Sequence, residues 1–159
     1  MKVKSTQYQK KVLNPVLFRI GMLKRLPSVV FWGISISWID DQLCKVRIPF
    51  TWRTQNPFKS IYFAALAGAA ELSTGALCQM LLADRVPHSM LVTDFKAEYF
   101  KKANTAITFT CDQGLELAAV LDSLTEQGDT AQFSMISTGR NDRDEVVAKA
   151  YITWSFKRK

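Results

Sequence analysis

The sequence predicts an α+β domain, in which about six antiparallel strands lay one face over a single dominant helix. Three observations carry that expectation. Apolar and polar residues alternate at period two in several segments, the mark of half-buried strands. The segment from Ser60 to Leu82 is long, small and apolar, and reads as a buried helix. One-sided alternation means the sheet covers something, and that helix is the element large and apolar enough to be covered.

The elements follow in order. "YQKKVLNPVLFRIGMLKRLP", residues 8–27, mixes apolar and basic residues at roughly helical spacing. Pro15 favours a helix start and Pro27 a stop. This extension reads as a lid packed on the domain, given its moderate apolar content. An amphipathic helix lying on a membrane surface is the other reading. "VVFWGISISWI" reads as a strand that turns at Asp40-Asp41 into "QLCKVRIPFTWR". There Cys44, Val46, Ile48, Phe50 and Trp52 share a buried face, and Pro49 marks an edge or a strand end. After the long helix, "SMLVTDFKAEYF" and "TAITFTC" are strands joined by a basic turn at Lys101-Lys102-Ala103-Asn104. "GLELAAVLDSLTEQGD" fits a short helix ending at Gly128. "TAQFSMIST" and "EVVAKAYITWSF" close the chain as a hairpin across "GRNDRD". In the last strand Ala148, Ala150, Ile152, Trp154 and Phe156 face one way.

With 159 residues, 48% of them hydrophobic, the chain is expected to form one domain spanning 1–159. Its core is placed at about 29–156, after the helical extension at about 8–27. A charged share of 22% argues against disorder. The net charge of +7 suggests an anionic partner such as a nucleotide-bearing molecule, a nucleic acid or a membrane surface, unless it only solubilises the surface.

Cys44, Cys78 and Cys111 are an odd count without CxxC spacing, and the N-terminal residues lack a secretory pattern. Reduced, buried thiols in a cytoplasmic protein are the simplest account. His88 is the chain's one histidine, which argues against a catalytic cysteine, since that would need a histidine nearby, and against an ordinary zinc site. The Ser60–Leu82 run approaches the ~20 residues a membrane span needs. Ser60, Glu71, Ser73, Thr74 and Gln79 lie inside it, so it reads as a core helix and not a span.

Within that helix, Ala64, Gly68, Glu71, Gly75 and Cys78 fall on one stripe at steps of four and three. Each helical glycine costs about 1 kcal/mol relative to alanine, so close approach by a backbone or a ligand is expected there. Glu71 is the single acid of the stripe. It is either paired with a cation such as Arg53 or Arg85, or it is a functional carboxylate with room beside it.

With these residues in view, the sequence resembles the hotdog-fold thioesterase superfamily, over roughly Val29 to Phe156. The similarity is to the branch of small bacterial hotdog domains of unknown function. The resemblance implies a curved antiparallel sheet wrapped around a long central helix. In the small acyl-CoA thioesterases of that superfamily an Asn precedes the helix, a His-Gly-Gly opens it, and an acid follows fifteen positions after the Asn. Asn56 and Glu71 stand fifteen apart here. Tyr62-Phe63-Ala64 takes the place of the His-Gly-Gly, and Glu replaces Asp.

The resemblance further implies a homodimer with active sites at its interface, with pairing into a dimer of dimers left open. Glu71 is then the candidate base, the Phe63 N–H the oxyanion donor, and Asn56 the residue orienting the helix start or the substrate carbonyl. A plain helix cap is the alternative for Asn56. Phe63 and Glu71 are separated by about 12 Å of helix rise, so two chains would have to combine to serve one carbonyl. Tyr62, Ala64 and Gly68 are candidate substrate-lining residues, with Thr93 and Ser89 as hydroxyl donors from the strand after the helix. Lys101 and Lys102, with Arg140 and Arg143, lie in turns where they can meet coenzyme A phosphates.

The substrate is thus an acyl-CoA or a related thioester, and neither a metal nor a separate cofactor is expected. The rival reading is an acyl-binding hotdog protein without chemistry, favoured by Tyr62-Phe63-Ala64. A dehydratase ranks below both, because the resemblance implies a helix histidine for it and His88 lies beyond the helix. Nucleic-acid binding ranks last, since no recognised motif is present.

Overall fold

A computed structural model describes residues 2–159. The chain opens with three helices, α1 (Val3–Leu13), α2 (Pro15–Arg25) and α3 (Pro27–Trp32). Strands β1 (Ser35–Ile39) and β2 (Cys44–Ile48) precede the long helix α4 (Phe63–Leu82). Then come β3 (His88–Tyr99), β4 (Ile107–Cys111), α5 (Gly114–Asp122), β5 (Thr130–Arg140) and β6 (Val146–Arg158). All six strands join one antiparallel sheet in the order β1-β2-β4-β5-β6-β3. The α+β class and the sheet curved over one helix are therefore as expected.

Several elements depart from the sequence reading. Residues 29–32 are helical, not the first half of a strand. Pro27 sits at the first helical position, where its fixed φ suits a helix start, and Gly33 ends the turn at φ 70°. Those two residues outweigh the strand preference of Val29-Val30-Phe31-Trp32. Strand β2 stops before Pro49, so Phe50 is half-buried and Trp52 is exposed, edge-on to the Phe31 ring at 6.1 Å. Helix α5 ends at Asp122, and Gly128 instead forms the turn before β5, with φ 95°. The strands β3 and β4 follow one another in the chain without pairing, because the β5–β6 hairpin lies between them.

Alternation sets the core. Cys44, Val46 and Ile48 of β2, Ile107, Phe109 and Cys111 of β4, and Ile152, Trp154 and Phe156 of β6 are buried together. They close on α4, whose Ala65, Leu66, Ala69, Ser73, Leu77 and Met80 are buried in turn. A helix this rich in alanine lets the sheet come close. The buried hydroxyls of Ser73 and Ser137 meet at 2.7 Å, joining helix to sheet without an orphaned polar group. α4 is the one described helix long and apolar enough to cross a membrane, and most of it is enclosed by the fold.

The N-terminal helices differ in how they attach. Asp84, just past α4, accepts the N–H groups of Lys4 (2.9 Å) and Ser5 (3.0 Å), capping α1 from a distant part of the chain. Gln9 donates to the Ile39 carbonyl at 2.6 Å, and Val12 is buried. α1 is thus the part that packs on the domain. Asn14 accepts from Val16 and Leu17 at 3.0 Å and starts α2 in front of Pro15. α2 buries only Phe18 completely, leaning on α1 and α3.

Gly114 lies against the β1–β2 turn, where its N–H donates to the Gln42 carbonyl at 2.9 Å. A Cβ there would stand 2.2 Å from the Asp41 carbonyl oxygen, and backbone cannot swing away. Gly114→Ala is expected to lower stability by about 3 kcal/mol in urea unfolding. Gly21→Ala, in α2 where nothing stands within 4 Å of the new atom, is expected to raise it by about 0.5–1 kcal/mol in the same assay.

Candidate functional site

Glu71 sits two turns into α4, half-buried. Among the described residues its carboxylate has neither an ion pair nor a hydrogen bond. Both cations considered for it are elsewhere. Arg85 bonds Asp122 at 2.7 Å and also reaches the Leu81 carbonyl, while Arg53 is exposed beside Gly33. Burial without a compensating charge pushes the Glu71 carboxyl above the ordinary value of 4.5.

The stripe of small residues is open at one end and filled at the other. Phe63, Ala64, Ala67, Gly68 and Glu71 are the residues of the first two and a half turns that keep solvent contact. They share one face of the helix, a partly exposed lane from its first residue to the carboxylate that the Trp32 ring borders at Gly68. Beyond it, Gly75 and Cys78 are buried. What approaches the glycines is this chain's own indole rings. A Cβ at Gly68 would meet Trp32 at 3.3 Å, and one at Gly75 would meet both Trp154 and Glu71 Oε1 at 3.2 Å. Trp154 Nε1 donates to the Thr74 hydroxyl at 2.9 Å, which in turn donates to the Glu71 carbonyl, also at 2.9 Å. That chain of bonds holds the inner wall beside the carboxylate.

The lane begins at a helix start with unused donors. The Tyr62 carbonyl accepts from Ala65 (3.0 Å) and Leu66 (3.1 Å). No described residue accepts from the N–H of Phe63 or Ala64, and the helix dipole favours negative charge there. The Phe63 side chain is 59% exposed and packs edge-on against Tyr62, with ring centroids 5.0 Å apart.

Asn56 lies in the loop leading to this point. Its Oδ1 accepts from Phe58 N (3.0 Å), Ser60 N (3.2 Å) and Ser60 Oγ (3.2 Å), which folds the loop around Lys59 at φ 57°. The helix N-cap is Tyr62, not Asn56. The loop is fastened on both sides, Tyr62 N to the Thr54 carbonyl (2.7 Å) and Ile61 N to the Ala103 carbonyl (2.8 Å).

The same bonds bring the basic turn alongside. Lys102 Nζ reaches the Phe58 carbonyl at 3.5 Å, whereas Lys101 pairs with Glu145 at 2.5 Å. Both line a cleft of about 320 Å³ with Asn104, Thr105 and Arg143 and with the acids Asp142 and Glu145. Arg140 is held by Asp144 and lines a different cleft. Thr93 sits in a bulge of β3 between Val92 and Asp94, donating to the Thr153 carbonyl at 3.3 Å. Val92 pairs with Trp154, so this bulge is level with Gly75 and the inner end of the lane. Ser89 does not join the group. It pairs with Lys157 on the outer face of β3, about 13 Å of strand from Thr93.

Sequence reasoning missed the indole walls and one further feature. Phe95 and Tyr99 pair with Ile152 and Ala148 of β6, which places them on the inner face of the sheet. Their partners are buried, yet Phe95 is 39% and Tyr99 44% exposed. β3 is the end strand: Met90 and Val92 near its start pack against the core, whereas at Phe95 and Tyr99 the described residues leave the inner face partly uncovered.

The fold has clear relatives among solved structures. A Pseudomonas aeruginosa protein of unknown function, described as a probable thioesterase, superposes with a TM-score of 0.74 at 18% identity, covering 100% of this chain and 99% of that one. A Chlorobaculum tepidum protein of unknown function gives 0.75 at 17%, covering 98% and 94%. A Haemophilus influenzae thioesterase gives 0.68 at 15%, covering 87% and 88%. At such identities the likeness establishes the hotdog fold. No curated protein matches the sequence. A family model does, over residues 15–156, and the chain accordingly belongs to the domain family of unknown function DUF4442.

Proposed function

We propose that the protein is a homodimeric thioester hydrolase acting on acyl-CoA, with Glu71 as general base. The observation that supports this best is an unpaired, half-buried carboxylate at the inner end of a lane whose outer end carries two free helix N–H groups. Phe63 and Glu71 of one helix are about 12 Å apart along its axis, too far to serve one carbonyl carbon. A second copy docked on the bare inner face of β3 supplies the missing member of each pair, giving two equivalent sites. In the reaction, Glu71 takes a proton from water and the resulting hydroxide adds to the thioester carbon. The N–H of Phe63 in the other copy holds the oxyanion. Collapse breaks the C–S bond, the thiolate takes the proton back from Glu71, and free coenzyme A leaves with a carboxylic acid that gives up its remaining proton to solvent. The exposed Phe63 ring leaves that N–H accessible. Lys102 and Arg143, in the cleft beside the helix start, are placed for the phosphates of coenzyme A.

The second reading keeps the ligand and drops the chemistry. It is favoured by Tyr62-Phe63-Ala64, where the thioesterases that the sequence resembles carry His-Gly-Gly. Release of free thiol from a panel of acyl-CoAs separates the two. Saturable binding with no turnover at any chain length would leave the binder alone standing.

Glu71→Gln is expected to lower kcat at least 100-fold with dimer mass unchanged. Wild-type turnover should climb with pH through a carboxyl value above 4.5, because the ionised form is the base. The same shift has a stability consequence of opposite sense. The folded state holds the Glu71 proton more tightly than the unfolded chain, so ionisation works against folding as pH rises past 4.5. Melting curves should therefore show Glu71→Gln gaining on wild type between pH 4 and pH 7.

Phe95→Arg, placed on the bare face, is expected to convert the dimer to monomer in light scattering and to abolish turnover. Lys102→Glu should raise KM for acyl-CoA about tenfold while leaving KM for a short thioester without phosphates unchanged. A rise for both substrates would place the phosphate site elsewhere.

A further inference from the structure

Charge is distributed unevenly along the chain. Residues 1–39 hold seven of the 21 basic residues and none of the 14 acids, so the remaining 120 residues, with fourteen of each, are neutral. The whole net charge of +7 thus lies on the N-terminal helices and the strand that follows them.

Helix α2 gives that charge a geometry. Phe18 is buried and Met22 half-buried on its inner side. On the opposite side Val16 (63% exposed), Ile20 (58%) and Leu23 (63%) stand at spacings of four and three, one apolar ridge along the helix. Arg19 flanks the ridge on one side and Lys24 on the other. Lys10, Lys11 and Arg25 are exposed nearby, and among the described residues none of these five cations is in an ion pair. Between α1 and α2 a cleft of about 410 Å³ continues the apolar surface, lined by Tyr8, Val12, Leu17 and Phe18 with Lys11 and Lys24 among its polar members.

We infer that α2 is a docking surface for an anionic phospholipid bilayer, lying flat with its apolar ridge in the headgroup boundary and its basic flanks on the lipid phosphates. An apolar ridge would otherwise be covered by a second copy of the chain. Charge argues against that occupant. A two-fold contact sets each patch against itself, and this one would press Arg19, Lys24 and their neighbours onto identical cations, with no acid among residues 1–39 to offset them. An anionic lipid surface meets both halves of the pattern, apolar and cationic. Membrane association of this kind is peripheral. It is independent of the activity proposed above and holds equally for a hydrolase or a binder.

The test is flotation of the full chain with vesicles of neutral phosphatidylcholine alone or with 30% phosphatidylglycerol, at about 0.1 M and 0.5 M salt. The expected result is binding to the anionic vesicles only, weakened by salt. Each cation near such a surface contributes about fivefold in affinity, so Arg19→Glu/Lys24→Glu is expected to bind at least about 25-fold more weakly. Ile20→Ser/Leu23→Ser, which keeps every charge, should also bind at least tenfold more weakly. All four side chains are exposed, and circular dichroism melting confirms that each variant is folded.

No binding to anionic vesicles at low salt overturns the proposal, as does equal binding to neutral ones. Undiminished binding by the serine variant reduces the effect to unspecific charge and overturns it too. So does a wild-type oligomer that falls to a smaller mass in the serine variant, because a second copy then covers the ridge.

Discussion

The structure depends on how closely its sheet and two indole rings can approach one helix. Small residues make that possible. Ala65, Ala69, Ser73 and Ala76 face the strands, and Gly68 and Gly75 admit the rings of Trp32 and Trp154. A bulky residue at either glycine would push an indole outward and open the wall beside Glu71. The helical glycines cost backbone entropy, and close packing of flat aromatic surface offsets it. The fold therefore uses glycine to seat its own side chains, where the stripe alone had equally suggested a ligand.

The environment of Glu71 follows from that closure. The inner wall is fixed by the Trp154–Thr74 hydrogen bond, so neither the indole nor the helix backbone can turn to the carboxylate. The nearest candidate cations are engaged or distant. What remains is a carboxyl group raised by burial at the end of a partly exposed helix face. A carboxylate kept in that condition is a better base than one held by an arginine, since partial desolvation and missing partners both strengthen its hold on a proton.

Two surfaces are left unfinished by the single chain, and they differ in kind. The inner face of β3 is apolar and lies next to the lane, with Phe95 and Tyr99 exposed because the sheet extends past the helix that covers it. Its chemistry suits a second copy. The ridge on α2 is apolar too, yet it is rimmed by cations alone, which makes self-pairing unfavourable. Local charge is what distinguishes the two surfaces.

Much of this was legible in the residues. Period-two alternation settled which side of β2 and β6 is buried, because side chains on a strand must point to alternate faces. The composition of Ser60–Leu82 made α4 a core helix, since a carboxylate and several hydroxyls inside it disfavour lipid. Spacing placed Glu71 with Ala64 and Gly68 on one face. Other features had no local signature. Alternation assigns faces but not neighbours, so the place of β3 at the sheet's end, and with it the bare Phe95 and Tyr99, came only from long-range pairing. The helix at 27–32 was decided by Pro27 and Gly33 against the strand preference of the residues between them. Glycines in a helix announce a close approach without naming what approaches, and only the folded chain brings Trp32 and Trp154, each distant in sequence, to fill that space.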